Sequence, residues 1–476
     1  MTMSTAGRRR IDRLVAALIA VVVLGVGVLI YLNSDIRATA SIVGPTAGVP
    51  SSPTALPATL AQRWILPTNP DLGSVASPYG VVVTADDHTA TGHDAVTGKF
   101  RWSYGRENLP LCAIGSGDDD ALGVDRGGKV RGVMVVSQKD GFCSQVMLLD
   151  PDTGERHYYR TSPNQPGGSL TFGGPYAAWM GPTLVELWRN DLVRTIQYGD
   201  EPNPPKPDAS HSGCTFTDIA LADEQFATVE HCREHGDNAR VAINWATPDS
   251  APDKPDGQDV FKHEPRAEVD TGSRFARLVG VTQDRVAVLV SAPEPAVVVY
   301  DDKGKETSRT PVPIPADQIV AADGLDASGG TKPTPFVLDG DTRYSLIGDH
   351  LIAVTSQAAT VPAPAETTSS GSTPPPTVSV LAGASQSSAE AATVQVDDLV
   401  VQWTKPGALG LPAVIGSQLL MPVMGGLAVY RAATGNSGVP PSTIPVDRGA
   451  YAGRVDATAV GDMVIEVRGD RVAGLS

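Results

Sequence analysis

Two groups of side chains in this chain have the types and spacing that could hold a metal ion. The first group, a candidate for zinc, comprises Cys214, His231, Cys232 and His235. The second group, a candidate for calcium, comprises Asp118, Asp119, Asp120 and Asp125. Structural zinc sites usually take their ligands in closely spaced pairs, and calcium loops alternate their ligands and end in glutamate. Neither group has that pattern, so we interpret the first as part of a disulfide and the second as a solvated loop, and we predict no metal site.

Motifs that would indicate catalysis are missing from the sequence. It contains no G-x-S-x-G elbow, H-E-x-x-H helix or P-loop. Thr97–Lys99 lacks the glycine-rich run of a phosphate loop, and Arg468–Asp470, although it matches an adhesion tripeptide, is interpreted as a hairpin turn. The net charge of −16, without a basic cluster in the domain, argues against a nucleic-acid groove. We therefore predict neither catalytic residues nor a bound cofactor.

A basic and then apolar segment at the N-terminus predicts a membrane anchor. The arginines of residues 1–13 precede the uncharged stretch Leu14–Leu32. At 1.5 Å per residue this stretch spans nearly the ~30 Å hydrocarbon core, and the positive-inside rule keeps residues 1–13 in the cytoplasm. A cleaved signal peptide is the alternative, because Ala38–Ala40 offers small residues for cleavage. Residues 33–59 are predicted to form a flexible stalk, and both interpretations place the remaining chain outside the cytoplasm.

The chain from residue 60 to residue 476 has the pattern of an all-β domain. Short runs rich in Val, Ile and Leu alternate with turn residues, and no long amphipathic helix follows Leu32. A low-complexity tract over about 357–392 interrupts one strand pattern and is predicted to be a disordered surface loop. Shorter polar insertions lie near 200–212 and 248–258.

One turn motif recurs along this domain. In its first copy a strand ends at Asp94, Thr97 and Gly98 form the turn, and a strand containing Trp102 follows. The Asp and Thr side chains can bond turn amides, and Gly adopts positive φ without steric cost. A second copy and a looser one contribute Asp150, Thr153, Gly154, Thr434 and Gly435. This recurrence predicts a β-propeller built from four-stranded blades.

Eight blades account for the domain, with seven as the alternative if one blade has been split. The predicted blades cover about 71–105, 106–163, 168–199, 212–264, 274–315, 336–405, 409–447 and 455–476. The last of these supplies only three strands. We therefore predict that Leu60–Leu66, around Trp64, adds the missing strand and closes the ring.

The four cysteines fit this arrangement as two disulfides. They form an even set without a C-x-x-C pair, as is typical of an oxidising compartment, and three pairings are possible. In the predicted register, one cysteine of each pair begins the first strand of a blade, and the other lies at or just after the end of the second strand. Antiparallel neighbours bring such positions together. We therefore predict the pairs Cys112–Cys143 and Cys214–Cys232.

The segment Asp94–Trp102 resembles the blade motif of the PQQ-like, or quinoprotein alcohol dehydrogenase-like, β-propellers. Asp150–Glu155 is similar to it without the Trp, and the looser pattern extends over most of residues 60–476. The resemblance implies that the motif forms the last hairpin of a blade and that its Trp packs between blades. Enzymes of this family typically have adjacent cysteines and calcium ligands, whereas this sequence has no Cys-Cys pair. It resembles the non-enzymatic envelope propellers, in a membrane-anchored form similar to those of actinobacteria.

These features predict a scaffold or binding module rather than an enzyme. The resemblance implies a role in cell-envelope assembly or in lipid or glycolipid transport. The expected partners are an inner-membrane transporter or an envelope assembly protein, with a glycolipid as a further ligand. Two alternatives stay open. A PQQ- or metal-dependent oxidoreductase would bring acidic and aromatic residues together in the channel, and a ligand sensor would need a signalling partner because the cytoplasmic tail is short.

Overall fold

Eight antiparallel sheets, seen in a computed structural model of the chain, form an eight-bladed β-propeller. The structure describes residues 5–32, 34–46, 56, 59–117, 132–201, 212–247, 265–322, 324, 330–362, 393–436 and 442–476. The helices are α1 (Thr5–Leu32), α2 (Asp35–Ala38) and α3 (Ala316–Ala321), with a short 3-10 helix at Arg233–His235. The predicted eight-bladed all-β fold is confirmed, and the seven-bladed alternative is wrong.

The strands are numbered in chain order, and a blade contains four of them from the channel outwards. The strands β1 (Thr39–Ile42) and β2 (Gln62–Pro67) come first. Blade 1 contains β3 (Val75–Ser77), β4 (Val81–Ala85), β5 (Thr89–Asp94) and β6 (Phe100–Arg106). Blade 2 contains β7 (Leu111–Gly115), β8 (Val133–Lys139), β9 (Phe142–Leu149) and β10 (Arg156–Thr161). Blade 3 contains β11 (Ser169–Gly173), β12 (Tyr176–Met180), β13 (Leu184–Arg189) and β14 (Arg194–Gly199). Blade 4 contains β15 (Cys214–Leu221), β16 (Gln225–Cys232), β17 (Arg240–Trp245) and β18 (Ala267–Asp270).

The second half of the ring repeats this order. Blade 5 contains β19 (Ala276–Val281), β20 (Arg285–Val290), β21 (Ala296–Asp301) and β22 (Glu306–Pro311). Blade 6 contains β23 (Phe336–Asp339), β24 (Thr342–Ile347), β25 (His350–Pro362) and β26 (Thr393–Pro406). Blade 7 contains β27 (Ala413–Ile415), β28 (Gln418–Val423), β29 (Gly426–Arg431) and β30 (Thr443–Pro445). Blade 8 contains β31 (Val455–Val460), β32 (Met463–Arg468) and β33 (Arg471–Leu475), with β2 as its outer strand.

The core lies in layers between the blades. The middle strands β20 and β21 are apolar and almost entirely buried, because each blade is covered on both faces by its neighbours. Side chains of these strands pack with side chains of β16 and β17 in the preceding blade, and Val229, Val241, Val288 and Val298 belong to one such layer. The outer strand β22, in contrast, is exposed along its whole length. In this blade the middle strands are therefore buried and the outer strand at the rim is exposed.

All eight first strands run in the same direction around the channel. Neighbouring first strands contact one another, as β7 with β11, β11 with β15, and β3 with β31. Because the strands of a blade alternate in direction, each fourth strand ends at the face where the next first strand begins. We call the face where the first strands begin the tether face, and the face where they end the distal face. These two faces contain the openings of the channel.

The ring is closed by the N-terminal strand, as predicted. Strand β2 pairs antiparallel with β33, from Gln62 opposite Leu475 to Pro67 opposite Arg471. Trp64 lies opposite Gly474 in this register. The last blade thus gains its fourth strand from the beginning of the domain, which removes the open edge that β33 would otherwise present.

Three tryptophans join successive blades in the same way. Each lies on the fourth strand of its blade and donates its indole N–H to a carbonyl in the last turn of the next blade, at 3.0–3.1 Å. The donor and acceptor pairs are Trp64–Ala95, Trp102–Pro151 and Trp403–Ala432. Each ring also covers the turn glycine of that blade, so a Cβ there would lie only 2.6–2.8 Å from the ring. The glycines concerned are Gly98, Gly154 and Gly435.

The aspartates of the repeated motif organise these turns. Asp94 accepts hydrogen bonds from the amide of Thr97 at 2.8 Å and from its hydroxyl at 2.7 Å. Asp150 accepts two turn amides, at 2.8 and 3.0 Å. In the looser copy Arg431 occupies the aspartate position, and the turn is held by backbone bonds such as that from Gly435 to Arg431, at 2.8 Å, and by the amide of Asn436, which donates to the Thr434 hydroxyl at 3.3 Å. The motif therefore has a structural role in the contacts described.

Both disulfides join strands at the tether face. The structure contains Cys112–Cys143 and Cys214–Cys232, with Cα separations of 5.9 and 4.0 Å. Cys214 and Cys232 lie directly opposite each other in the β15–β16 pair. Because these two sulfurs are bonded to each other, they are not available as zinc thiolates, in agreement with the interpretation of that group as part of a disulfide.

Helix α1 connects to the propeller at the tether face. An 18-residue window within Arg13–Ala38 has a mean hydropathy of 2.9, and the segment is long and apolar enough to cross a membrane, so it fits a single-pass membrane protein. Asp35 accepts hydrogen bonds from Asn108 and Lys139, both at 3.1 Å. The amide of Glu107 donates to the carbonyl of Ala38 at 3.0 Å. The end of the apolar segment is therefore held against blades 1 and 2.

Strand β1 corrects the prediction of a flexible stalk over 33–59. It pairs antiparallel with β6, from Thr39 opposite Arg106 to Ile42 opposite Ser103, and becomes a fifth strand of blade 1. The prediction is wrong for these residues because the unpaired edge of β6 offers hydrogen-bonding partners that composition alone does not reveal. Residues 33, 47–55 and 57–58 of the predicted stalk lie outside the described residues.

The insertion predicted at about 357–392 begins later in the chain than predicted. Strand β25 continues to Pro362 and pairs with β26 from Thr393 onwards, so 357–362 form strand rather than loop. Residues 363–392 lie outside the described residues, as do 202–211 and 248–258 of the other insertions. Blade 4, predicted to end at about 264, has its fourth strand beyond that boundary, at Ala267–Asp270.

Candidate functional site: a cavity in the central channel

A cavity of about 810 Å³ occupies the central channel. It runs along β11 from Ser169 at the tether face to Gly174 just beyond its distal end, and residues of blades 2, 5, 6, 7 and 8 complete its lining. Ala452, Gly453 and Arg454, which precede β31, are exposed and form part of its rim at the tether face. The volume is within the range of sites that bind small molecules.

The walls of this cavity are largely apolar. Leu170 and Phe172 are two residues apart on β11 and therefore point to the same side of the strand. Both are only partly buried although they lie on a first strand. The other large apolar residues of the lining are Phe336, Leu338, Leu346, Leu409 and Leu411. An apolar ligand in this space would remove these side chains from water, at about 25 cal/mol per Å² of apolar surface.

One side of the cavity is built by residues 330–335, which we call the crossing segment. It belongs to the connection between blades 5 and 6, yet it reaches blade 3. The amide of Thr331 donates to Gly167 at 2.8 Å, and its hydroxyl donates to Met180 at 2.7 Å. The amide of Thr334 donates to the Asp218 carboxylate on blade 4, also at 2.8 Å. The crossing segment is therefore bonded to two blades that it does not adjoin in sequence.

A fully buried ion pair anchors this segment. Asp218 accepts the amide of Leu278 at 2.8 Å, and its Oδ2 lies 3.5 Å from Nε of Arg277. Arg277 in turn donates to the carbonyls of Thr217 at 2.9 Å and Lys332 at 2.7 Å. Both charged side chains are at least 97% buried. Buried charges are tolerated when they are paired and hydrogen-bonded, as here.

The charged side chains of the described lining are all basic. They are Arg277, Lys332 and Arg454. Arg277 is neutralised by Asp218, and Arg454 donates to both oxygens of Asp456 at 3.0 Å. Lys332 is exposed, and its ammonium has no hydrogen bond or ion pair within the described part of the chain. The mouth at the tether face therefore carries positive charge in a chain whose net charge is −16.

A second cavity of about 240 Å³ lies at the distal end of the channel. It shares Gly174 and Leu338 with the first cavity, so the two adjoin along the channel. Its lining includes three carboxylates, from Asp223, Asp341 and Asp397. The two openings of the channel thus differ in the sign of their charge.

Arg343 lies at the boundary of the two cavities, because it lines the smaller one and packs on Phe336 of the larger one. It lines the distal cavity, and its guanidinium lies 3.5 Å from the centre of the Phe336 ring, a cation–π contact. Its Nε donates to Ser345 at 3.3 Å, whereas its Nη2 has no hydrogen-bond partner. Burial lowers the pKa of this guanidinium to about 10, since the charged form loses its hydration. Arg343 therefore stays charged at neutral pH at a cost in free energy.

The residues singled out from the sequence do not line this cavity. The motif residues lie in turns and on outer strands, and the cysteines lie at the tether ends of their blades. Asp118, Asp119, Asp120 and Asp125 are outside the described residues. The oxidoreductase alternative predicted acidic and aromatic residues converging in the channel. The described lining of the larger cavity has Phe172 and Phe336 but no carboxylate.

Sequence reasoning missed the residues that shape the cavity. Asp218, Arg277 and Lys332 have no shared motif, and Thr334 lies far from Asp218 in sequence. One signal was present, because the predicted blades left an unassigned gap between residues 315 and 336. That gap is longer than the connections between other predicted blades, and it contains α3 and the crossing segment.

Comparisons with known proteins identify no family for this chain. No family model matches the sequence, and no curated protein matches it. Among solved structures, the computationally designed Ika8 protein is similar with a TM-score of 0.42 and 12% identity, over 90% of this chain and 99% of that chain. The quinohemoprotein alcohol dehydrogenase ADHIIG from Pseudomonas putida HK5 is similar with a TM-score of 0.43 and 12% identity, over 88% of this chain and 76% of that chain. The fold assignment itself rests on the eight sheets.

Proposed function

We propose that this chain is a membrane-anchored binding module that works outside the cytoplasm in cell-envelope assembly or in lipid or glycolipid transport. Its partner in this proposal is an inner-membrane transporter or an envelope assembly protein. The two disulfides support an oxidising compartment, and the arginines that precede the uncharged stretch Leu14–Leu32 support a cytoplasmic N-terminus.

One observation carries this proposal, namely the attachment of α1 to the tether face. Asp35 follows the end of α1 closely and is bonded to Lys139 at the tether end of β8. A helix in the bilayer would therefore hold this face against the membrane surface. Phe142 and Met424, in turns of the same face, are 46% and 75% exposed. Exposed apolar side chains at such turns suit contact with an integral membrane protein.

Site-specific photocrosslinking in native membranes tests the proposal. A photoreactive amino acid replaces Met424 on the tether face, and in a matched control it replaces Val96, which is 57% exposed in a turn of the distal face. We expect covalent adducts with an integral membrane protein from position 424 and at least fivefold fewer from position 96. Equal adducts from both positions, or no protein adduct from position 424, would contradict the proposal.

A further inference from the structure

The position of the cavity relative to the membrane helix indicates where its ligand comes from. The cavity reaches the tether face at Ala452–Arg454, and the apolar segment that ends at Ala38 is bonded to the same face. If α1 spans the bilayer, the mouth of the cavity lies at the membrane surface. A ligand that resides in the bilayer could then enter without crossing the aqueous phase.

The lining of the cavity specifies the chemistry of that ligand. Leu170, Phe172 and Leu411 provide apolar walls, which suit a hydrocarbon chain. Lys332 adds positive charge at the tether end and has no acidic partner among the residues described, whereas Arg454 is already paired with Asp456. An ammonium beside an apolar cavity complements a molecule with an anionic head and an apolar tail. A neutral headgroup would leave that charge without a counterion.

We propose that the channel cavity binds the acyl chain of an anionic phospholipid taken from the membrane surface, with its headgroup phosphate at Lys332. This inference deepens the proposed function, since it rests on the tether face lying against the bilayer. The Asp218–Arg277 pair acts as a positioning element, because it fixes the crossing segment that carries Lys332. The carboxylates of the distal cavity, such as Asp341, repel the headgroup and keep it at the tether end.

Photolabelling with lipid probes tests this site. The full-length chain is reconstituted in phosphatidylcholine vesicles that contain phosphatidylglycerol with a diazirine at the end of one acyl chain. Labelled positions are mapped by mass spectrometry. We expect label in β11 and in residues 332–338, about fivefold above that from a phosphatidylcholine probe with the same chain. Label in α1 occurs with both probes and serves as the internal standard for membrane insertion.

Four variants separate the contribution of the Lys332 charge from that of the cavity volume. Leu170→Trp and Leu411→Trp fill the cavity from different walls and should each remove the channel label. Lys332→Glu should reduce the phosphatidylglycerol label to the phosphatidylcholine level. The control Lys303→Glu, at an exposed lysine in a turn of the distal face, should change nothing. Unchanged thermal unfolding midpoints show that the variants are folded.

Three results would overturn the inference. Label confined to α1 and its adjoining residues would mean that the cavity takes no acyl chain. Equal channel label from the two probes would exclude selection for an anionic headgroup. Displacement of the label by inorganic phosphate alone would assign the site to free phosphate. Crosslinks from position 424 with no channel label refute this inference alone, whereas channel label without those crosslinks refutes only the proposed partner.

Discussion

The two faces of this propeller are built from different chemistry. At the tether face, both disulfides join strands, the cavity mouth carries Lys332, and Met424 is exposed. At the distal face, the Asp94 and Asp150 turns are tied by side-chain hydrogen bonds, and carboxylates line the small cavity. The three described Trp contacts between blades thus lie at distal turns, whereas both covalent bonds lie at the tether face.

The two faces are stabilised by different kinds of contact. Three distal turns interlock neighbouring blades through Trp rings packed on Gly, as Trp102 on Gly154. At the tether face, blades 2 and 4 are each held by a covalent bond within the blade. Four predictions test this comparison, ordered from the largest expected effect to the smallest.

Removal of the buried carboxylate should have the largest effect. Asp218→Ala leaves Arg277 buried without its counterion and breaks the bond to Thr334, so we expect a loss of about 3–5 kcal/mol in the free energy of unfolding. Urea denaturation measures this loss. The control Asp223→Ala, at an exposed carboxylate of the distal cavity, should change stability by less than about 0.5 kcal/mol. Similar losses in the two variants would contradict a special role for the crossing segment.

The tether-face disulfides should each contribute about 2–4 kcal/mol. Replacing both cysteines of a pair by serine releases a loop of the unfolded chain, whose sequence separation is 31 for Cys112–Cys143 and 18 for Cys214–Cys232. The longer loop should cost about 0.5 kcal/mol more. Denaturation of the two double variants against the wild type measures both values. If neither loss exceeds 1 kcal/mol, the tether face does not depend on its covalent bonds.

Paired glycine substitutions compare turns on opposite faces. Gly154 has φ of +72°, and an added Cβ would lie 2.7 Å from the Trp102 ring. Gly141, in the β8–β9 turn of the tether face, has φ of +83° with nothing within 4 Å of an added Cβ. Substitution by alanine strains the backbone at both sites by about 1 kcal/mol, and the clash at Gly154 should add about 1–2 kcal/mol. Equal losses in thermal unfolding would show that the interlock between blades adds little.

Replacement of Arg343 should have the smallest effect, and we expect it to stabilise the protein. Arg343→Met removes a buried charge that has no paired carboxylate among the described residues, with an expected gain of about 1 kcal/mol at pH 7. Because burial lowers the folded-state pKa to about 10, the unfolded chain binds more protons above that pH. The stability of the wild type should therefore rise between pH 10 and the ordinary arginine pKa, and the gain of the variant should shrink there.

A matched substitution sharpens that prediction. Arg277→Met also removes a buried guanidinium, but it leaves Asp218 uncompensated and should therefore destabilise the protein. Opposite signs for the two variants in urea denaturation would confirm that pairing, rather than burial, decides the outcome. The same sign in both would contradict the comparison.

Local patterns in the sequence determined the fold of this protein. The Asp-Thr-Gly turn occurs in blades 1 and 2, so its side-chain bonds and positive φ could be inferred from a few adjacent residues. Trp64 and the missing strand of the last blade indicated the ring closure, and the cysteines followed from the strand register. These features depend on neighbours in sequence or on the repeat, and both are visible without coordinates.

The candidate site was decided by tertiary structure alone. Asp218 and Thr334 meet across the channel, and β1 pairs with β6, although no repeat or motif links the members of either pair. A cavity is the space left when all blades have packed, and its charge depends on which side chains find partners. Lys332 faces that space because Arg277 holds its backbone there. Such contacts arise from long-range packing, for which a single sequence contains no periodic signal.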